Sequence, residues 1–253
     1  MRRAITIFLL LTITACGGGG GGGSPPATSN ANAAPGGIWM GTDTLTGLSL
    51  TGVITETGAA RFIRSDGAQY IGSASTSGDS ISGSYNGYLP TGFVFADGSN
   101  HGSGTFSGTI TSGQTVTATF QFTTANNNST TETITFTFDN LYDTGSSLSA
   151  IAGNYTDPST NATVSVDSSG VIFSQDPVTG CVINGMISII NASYDVYDVS
   201  YSFANCTGSS AFLNGTTATG LGILDTSVSP NDAIIGVSNS TAGYVLTETF
   251  PKQ

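Results

Sequence analysis

Of 253 residues, 8% are charged, about a third of the share in ordinary soluble domains, and Gly, Ser, Thr and Asn carry most of the polar surface. Five Lys and Arg against 16 Asp and Glu give a formal net charge of −11 at pH 7, which repels phosphate backbones and excludes nucleic acid as a partner. A single histidine excludes a multi-histidine metal site.

The chain opens with a positive segment, Arg2 and Arg3, followed by a short apolar run at 5–13. That run suits a secretory signal and is too short to cross a bilayer as a helix. Residues 13–16, Ile-Thr-Ala-Cys, resemble the bacterial lipobox: an aliphatic residue, a small one, Ala or Gly, then a cysteine. The resemblance implies that 1–15 is a lipoprotein signal peptide and that Cys16 is acylated and becomes the first mature residue, making the membrane a partner. With Gly17 rather than Asp behind the cysteine, it implies sorting to the outer membrane of a Gram-negative cell; neither the periplasmic nor the outer face is specified. Loss of Arg2 and Arg3 leaves 5 − 2 = 3 basic residues and a mature charge of 3 − 16 = −13.

Glycines at 17–23 and the stretch "SPPATSNANAAP" at 24–35 follow. Glycine runs gain little from order and lose much entropy on folding, so 16–35 is expected to be a disordered tether with an r.m.s. span of roughly 25 Å. Such tethers resemble those of surface-exposed bacterial lipoproteins.

The remaining 253 − 35 = 218 residues read as strands. Apolar and polar residues alternate in "TVTATFQF" (115–122), "TITFTF" (133–138), "ATVSV" (162–166) and "VYDVSYSF" (196–203), each bounded by turn-forming residues. No segment has a convincing apolar period of 3.6, and the connections are too short for helical crossovers, so the expected fold is all-β with antiparallel hairpins. Two halves repeat a pattern. Trp39 and Tyr155 open them, and each continues with a turn ending in Gly58 or Gly170, a strand carrying Phe62 or Phe173, Asp66 or Asp176, and a strand through Gly72 or Gly185. About eight strands per half predict two tandem small barrel-like domains, 36–146 and 147–253, with a hinge over 141–153, because closure removes exposed strand edges. One continuous barrel or a sandwich is the alternative. The layout of lipidated cysteine, glycine tether and one or two compact barrels resembles host-protein-binding surface lipoproteins, the transferrin-binding protein B and factor H-binding groups.

Little in the chain points to catalysis. There is no G-x-S-x-G elbow. His101 lies in "GSNHGSG" and reads as a turn residue. Two acid pairs, Asp195 with Asp198 and Asp139 with Asp143, are within range of glycosidase spacing but sit beside turn-like sequence and read as solvated. The string 97–100, Asp-Gly-Ser-Asn, offers oxygen ligands for calcium yet reads better as a hairpin turn. No catalytic residue, cofactor or metal is expected.

Trp39 and Tyr155 are expected in the core as end plugs. The segment 85–104 concentrates Tyr88, Phe93 and Phe95 among turn residues, without an equally long counterpart expected between Phe203 and Ala211. It reads either as packing over a barrel mouth or as a partner-binding loop. In an oxidising compartment Cys181 and Cys206 are expected to pair, closing a loop worth about 3–4 kcal/mol. A hairpin turning between Ser193 and Tyr194 places Cys181 opposite Cys206, Met186 opposite Tyr201 and Ile190 opposite Tyr197. The functional expectation is a non-enzymatic, lipid-anchored envelope protein that binds a protein or glycan partner or has a structural role. The alternatives are an enzyme acting on envelope carbohydrate or lipid, and a barrel carrying a small ligand.

Overall fold

The alternating segments fold as sixteen strands, and every ladder among the described residues is antiparallel. The structure is a computed structural model and describes residues 32–157, 161–239, 241 and 243–253. The expected signal segment, Cys16 and the expected tether up to residue 31 lie outside the described residues.

The first sheet comprises β1 (Gly37–Thr42), β2 (Ser49–Ile54), β3 (Ala59–Arg64), β4 (Gln69–Ser77), β5 (Ser80–Tyr88), β6 (His101–Thr111), β7 (Thr115–Thr124) and β8 (Ser129–Asp139). It closes into a barrel where Ile38, Trp39 and Met40 pair with Asp139, Phe138 and Thr137. The second comprises β9 (Gly153–Thr156), β10 (Thr163–Val166), β11 (Val171–Gln175), β12 (Val182–Ile189), β13 (Tyr197–Ala204), β14 (Thr217–Asp225), β15 (Asp232–Asn239) and β16 (Tyr244–Pro251). It curls into a half-barrel: among the described residues β9 and β16 form no ladder, and just beyond β16 Lys252 bridges Tyr155 while the Gln253 amide donates to Asn154 O at 2.8 Å. The strand that would close it, β9, has four residues where β1 has six. The expected architecture of two tandem barrel-like halves is thus the one observed.

The internal repeat has a structural basis. Gly58 and Gly170 both end their turns at positive φ, 88° and 86°, and a Cβ on either would lie 2.2 Å from a carbonyl oxygen, that of Ala74 or Ile187. Only glycine fits such a site without displacing the backbone. Gly72 faces Tyr85 and Gly185 faces Tyr201 in the corresponding ladders. Trp39 and Tyr155 are fully buried. One element of the repeat needs correction. Four residues after its turn glycine, Phe62 points into the first barrel, whereas Phe173 follows Gly170 by three and is 48% exposed. The inward counterpart of Phe62 is Ser174, because strand side chains alternate faces with period two.

Aromatic rings fill the first barrel by lying over inward glycines. A Cβ on Gly52 would come within 2.0 Å of the Phe62 ring, and one on Gly102 within 2.6 Å of the Phe122 ring. The space each glycine leaves is the space its neighbour's ring occupies.

Residues 32–253 form one compact unit, and the expected hinge is a packed corner. Residues Asn140–Thr144 make a 3₁₀ turn and Leu148–Ile151 a single helical turn, α1. Tyr142 stacks on Tyr194 at 4.5 Å within a cluster that joins Ile38 and Val53 to Val196 and Ile223. A second seam is polar. Buried Arg61 donates to the Gln69 side-chain oxygen, to the Thr219 carbonyl at 3.1 Å and to the Ser238 hydroxyl at 3.2 Å. Gln69 in turn donates to the Leu246 carbonyl at 2.7 Å and the Thr247 hydroxyl at 2.8 Å. Burial among neutral acceptors pulls the guanidinium down to about 10, so it remains charged at neutral pH.

The last residues of the expected tether belong to the fold. The Ala33 amide donates to Gly78 O at 2.9 Å, its carbonyl accepts from the Thr76 hydroxyl at 2.7 Å, and Pro35 O accepts from the indole of Trp39 at 3.2 Å. Composition alone extended the tether to 35 because it does not register these partners.

The β12–β13 register differs by one residue from the expectation. Met186 faces Ser200, Gly185 faces Tyr201 and Ile189 faces Tyr197. The buried residues Ile187, Tyr197, Val199, Tyr201 and Phe203 all carry odd numbers, so only an odd-with-odd register keeps both apolar faces inward. Asn205, left-handed at φ 58°, takes up the extra residue beyond the ladder. The sulfur atoms of Cys181 and Cys206 meet there at a bonding distance of 2.06 Å.

Candidate functional site

Three places bring polar and apolar groups together: the loop between β5 and β6, one mouth of the first barrel, and the interior of the second half. In the loop, 89–100, the backbone is pinned at its base. Leu89 is buried and its amide donates to the Asn100 carbonyl, and the Phe95 amide donates to Ser99 O at 2.7 Å. The Phe95 ring packs on Phe122 at 5.4 Å, and Tyr88 stacks on His101, which begins β6. The Asp97 carboxylate accepts from the Ser99 hydroxyl at 2.6 Å, the Ser99 amide at 3.0 Å and the Thr124 hydroxyl. The hydrogen bond from Ser99, then that from Thr124, hold this carboxyl below its ordinary range. Its oxygens serve the turn.

The aromatic residues expected to act together therefore separate. Tyr88 and Phe95 pack, while Phe93 projects, 62% exposed, beside Val94 at 61%. Val94 is an addition; its place at the loop tip next to Phe93 is the signal for it. The second half does have a counterpart of equal length, 205–216 between β13 and β14, twelve residues like 89–100. There, Gly208–Leu213 winds into a 3₁₀ segment, so β14 begins later than alternation suggested.

At one mouth of the first barrel Arg64 bonds to Asp43 at 2.8 Å, to Asp66 at 2.9 Å and to the Tyr70 hydroxyl at 3.1 Å. Burial alone raises the two carboxyls, but the hydrogen bonds from Arg64 prevail and both are lowered. Burial pushes the Tyr70 phenol up to about 12. Glu132, raised by burial, accepts from the amide and hydroxyl of Thr44 at 3.0 Å each. Within, the barrel keeps a cavity of about 50 Å³, room for water and too small for a drug-sized ligand.

The second half is different. Its interior keeps a cavity of about 190 Å³ with apolar walls including Ile172, Ile183, Phe203 and Leu246. Ser174, Tyr201 and Glu248 also line it. Ser174 is 2% and Tyr201 5% exposed; neither hydroxyl bonds to a described residue, and since no fully enclosed side-chain oxygen or nitrogen among those residues lacks a partner, both open onto the cavity. Burial pushes the Glu248 carboxyl up to about 7, with the charge of Asp157 adding to the shift. Burial also raises Tyr201, reinforced by Glu248. Sequence reasoning missed this group. The available signal was an acidic residue in phase with Tyr244, Leu246 and Phe250 on the apolar face of "YVLTETF".

The acid pairs do not converge into a cleft. Asp195 is buried, accepts from the Leu224 amide at 3.0 Å and is raised by burial to about 7, which corrects its reading as a solvated turn residue. It sits in the corner packed between the halves, a tertiary effect. Asp198 points outward from β13. Asp139 caps the 3₁₀ turn by accepting from the Leu141 amide, and Asp143 is exposed. Among the described residues no three His, Cys, Asp or Glu are grouped to hold a metal, and no helix is long and apolar enough to cross a membrane.

In comparisons with known proteins the chain matches no family model, and no curated protein is significantly similar to it.

Proposed function

We propose that this is a lipid-anchored protein of the bacterial outer membrane, held through acylated Cys16, whose folded part binds a protein or glycan partner without catalysing a reaction. The anchor rests on the lipobox-like 13–16 and the glycine run behind it. The observation that carries the binding role is Phe93 with Val94, projected from a loop fixed at both ends by Leu89, Phe95 and Asp97. A preorganised apolar tip binds with little ordering entropy to lose. The mature charge of −13 favours a partner with a basic rim around the apolar contact.

The test is the double variant Phe93→Ser with Val94→Ser. The expected result is loss of partner retention from envelope or host extracts with an unchanged Tm. Unchanged retention, or a lowered Tm with retention intact, would overturn the binding role. For the anchor, Cys16→Ala should release the protein from the membrane fraction; full detergent partitioning of the variant would refute it.

A further inference from the structure

The two halves share a template, and the cavity of the second lies where it departs from the first. Counting from the turn glycines, Phe62 and Ser174 occupy the same place, Gly58 plus four and Gly170 plus four. In the first half the Phe62 ring lies over Gly52 and against Phe136 at 5.1 Å. In the second, Ser174 faces Val164 across the ladder and its hydroxyl points into open space. A second departure lies on the opposite wall. Trp39 pairs with Phe138 and Tyr155 with Lys252, so Glu248 stands where the first half has Ile134. A third follows from these. Tyr85 is enclosed by Phe120 and Phe122, while its counterpart Tyr201 turns an unpartnered hydroxyl to the cavity.

We infer that the interior of the second half is a binding site for a small organic ammonium ion, a primary amine carried on a single ring or short alkyl chain. A primary ammonium has three donors and no acceptor. Ser174, Tyr201 and Glu248 bring two hydroxyl oxygens and a carboxylate, all able to accept. No fully enclosed side-chain nitrogen or oxygen among the described residues lacks a partner, so both hydroxyls open onto the cavity, where a donor-bearing ligand can reach them. The walls set the remainder of the ligand. At about 190 Å³ the space exceeds the roughly 150 Å³ apolar cavity that accepts benzene. Ile172, Ile183 and Leu246 offer such a body apolar contact. The titratable groups facing the cavity are Glu248, Asp157, Asp176 and Tyr201. Asp176 is engaged by the Val178 amide and the Thr179 hydroxyl. No Lys, Arg or His is among the described residues that line the cavity, so its potential favours a cation over an anion. Phosphate, carboxylate and sulfate ligands are disfavoured by the same groups.

The site is separate from the 89–100 loop, and its test does not depend on that loop. Benzylammonium, benzyl alcohol and benzoate are titrated at pH 7.5 into the full-length chain, with calorimetry and amide or tyrosine chemical shifts as readouts. Saturable binding of benzylammonium is expected, with a dissociation constant of about 1 mM or lower, weaker binding of the alcohol, and none of benzoate. Shifts should centre on Tyr201. Glu248→Gln should weaken the ammonium at least about tenfold. Ser174→Phe, which rebuilds the first half's filling, should abolish binding while leaving the β-sheet spectrum intact; if that variant fails to fold, Glu248→Gln and the shift map decide. Equal binding of benzoate, an unaltered affinity in Glu248→Gln, or absence of binding by all three probes would overturn the inference.

Discussion

The first half is a closed barrel filled by rings lying over glycines; the second, on the same hairpin template, remains a half-barrel with a cavity whose apolar walls carry Ser174, Tyr201 and Glu248. Two features account for the contrast. Three residue pairs join β1 to β8 and close the first sheet, whereas β9 shares a single bridge with the residue after β16. Phe62 and Ile134 have Ser174 and Glu248 as their counterparts, so the second interior loses a ring and gains an acid. In a duplicated fold, closure and filling depend on a few inward positions, while the turns that define the template persist.

Exchanging those positions tests the comparison most severely. Phe62→Ser should destabilise the first half by about 3–5 kcal/mol, the range for emptying a packed aromatic site. Trp39, the sole tryptophan, reports on that barrel, so its fluorescence in denaturant should show the transition at lower midpoint. If the midpoint is unchanged, the ring is not what fills the barrel.

The disulfide belongs to the second half alone. Cys181→Ser with Cys206→Ser should remove about 3–4 kcal/mol by loop closure, read by tyrosine near-UV dichroism, before Trp39 fluorescence responds. Simultaneous loss of both signals would show that the halves unfold as one.

The polar seam decides between those outcomes. Arg61→Ala leaves Gln69 and the Thr219 carbonyl without their partner, and a loss of about 1–3 kcal/mol is expected. Splitting of a single unfolding transition into two is the accompanying signature, and calorimetry would reveal it. One undivided, unshifted peak would place the coupling in the Tyr142 corner instead.

The smallest effect is a pH slope. Glu248 and Asp195 have folded values near 7, raised above 4.5 and 3.8 by burial. Folded protein then holds more protons than unfolded protein between those limits, so stability is greatest at the acid end of the window and falls as pH rises towards 7. Each group should contribute on the order of 1 kcal/mol once water screening is allowed for. Asp43 and Asp66 are lowered and act oppositely: their contribution is present above about 3.8 and lost as pH falls through their folded values. Thermal unfolding at pH 5.5 and 7.5 should favour pH 5.5, and Glu248→Gln should flatten the difference. A steeper slope in that variant would contradict the assignment.

How much of this was legible from residues alone follows their physical range. Alternation in 115–122 and 196–203 is a local property, and β7 and β13 lie where it placed them. Gly58 and Gly170 marked equivalent turns because positive φ is nearly private to glycine. The Cys181 and Cys206 pairing was legible from cysteine count and the expectation of export, yet the register through which they meet differs by one from the one expected. Parity of the buried residues in both strands held that information, and sequence reading that fixed only the turn centre passed over it.

Sequence by itself determined strand, turn and cysteine pair, because each is decided within a hairpin's reach. Tertiary structure decided the rest. Closure of one sheet and not the other depends on strands a hundred residues apart in the chain meeting or failing to meet. Arg61 is buried where it bonds to Thr219 and Ser238 of the other half, and Asp195 where its amide meets Tyr142 O and its carboxylate the Leu224 amide, contacts that no single strand or turn carries. The cavity lined by Ser174, Tyr201 and Glu248 is likewise a product of assembly: Glu248 stands out in its strand by its phase with Tyr244, Leu246 and Phe250, but only the curl of the sheet brings residues of three strands to one cavity.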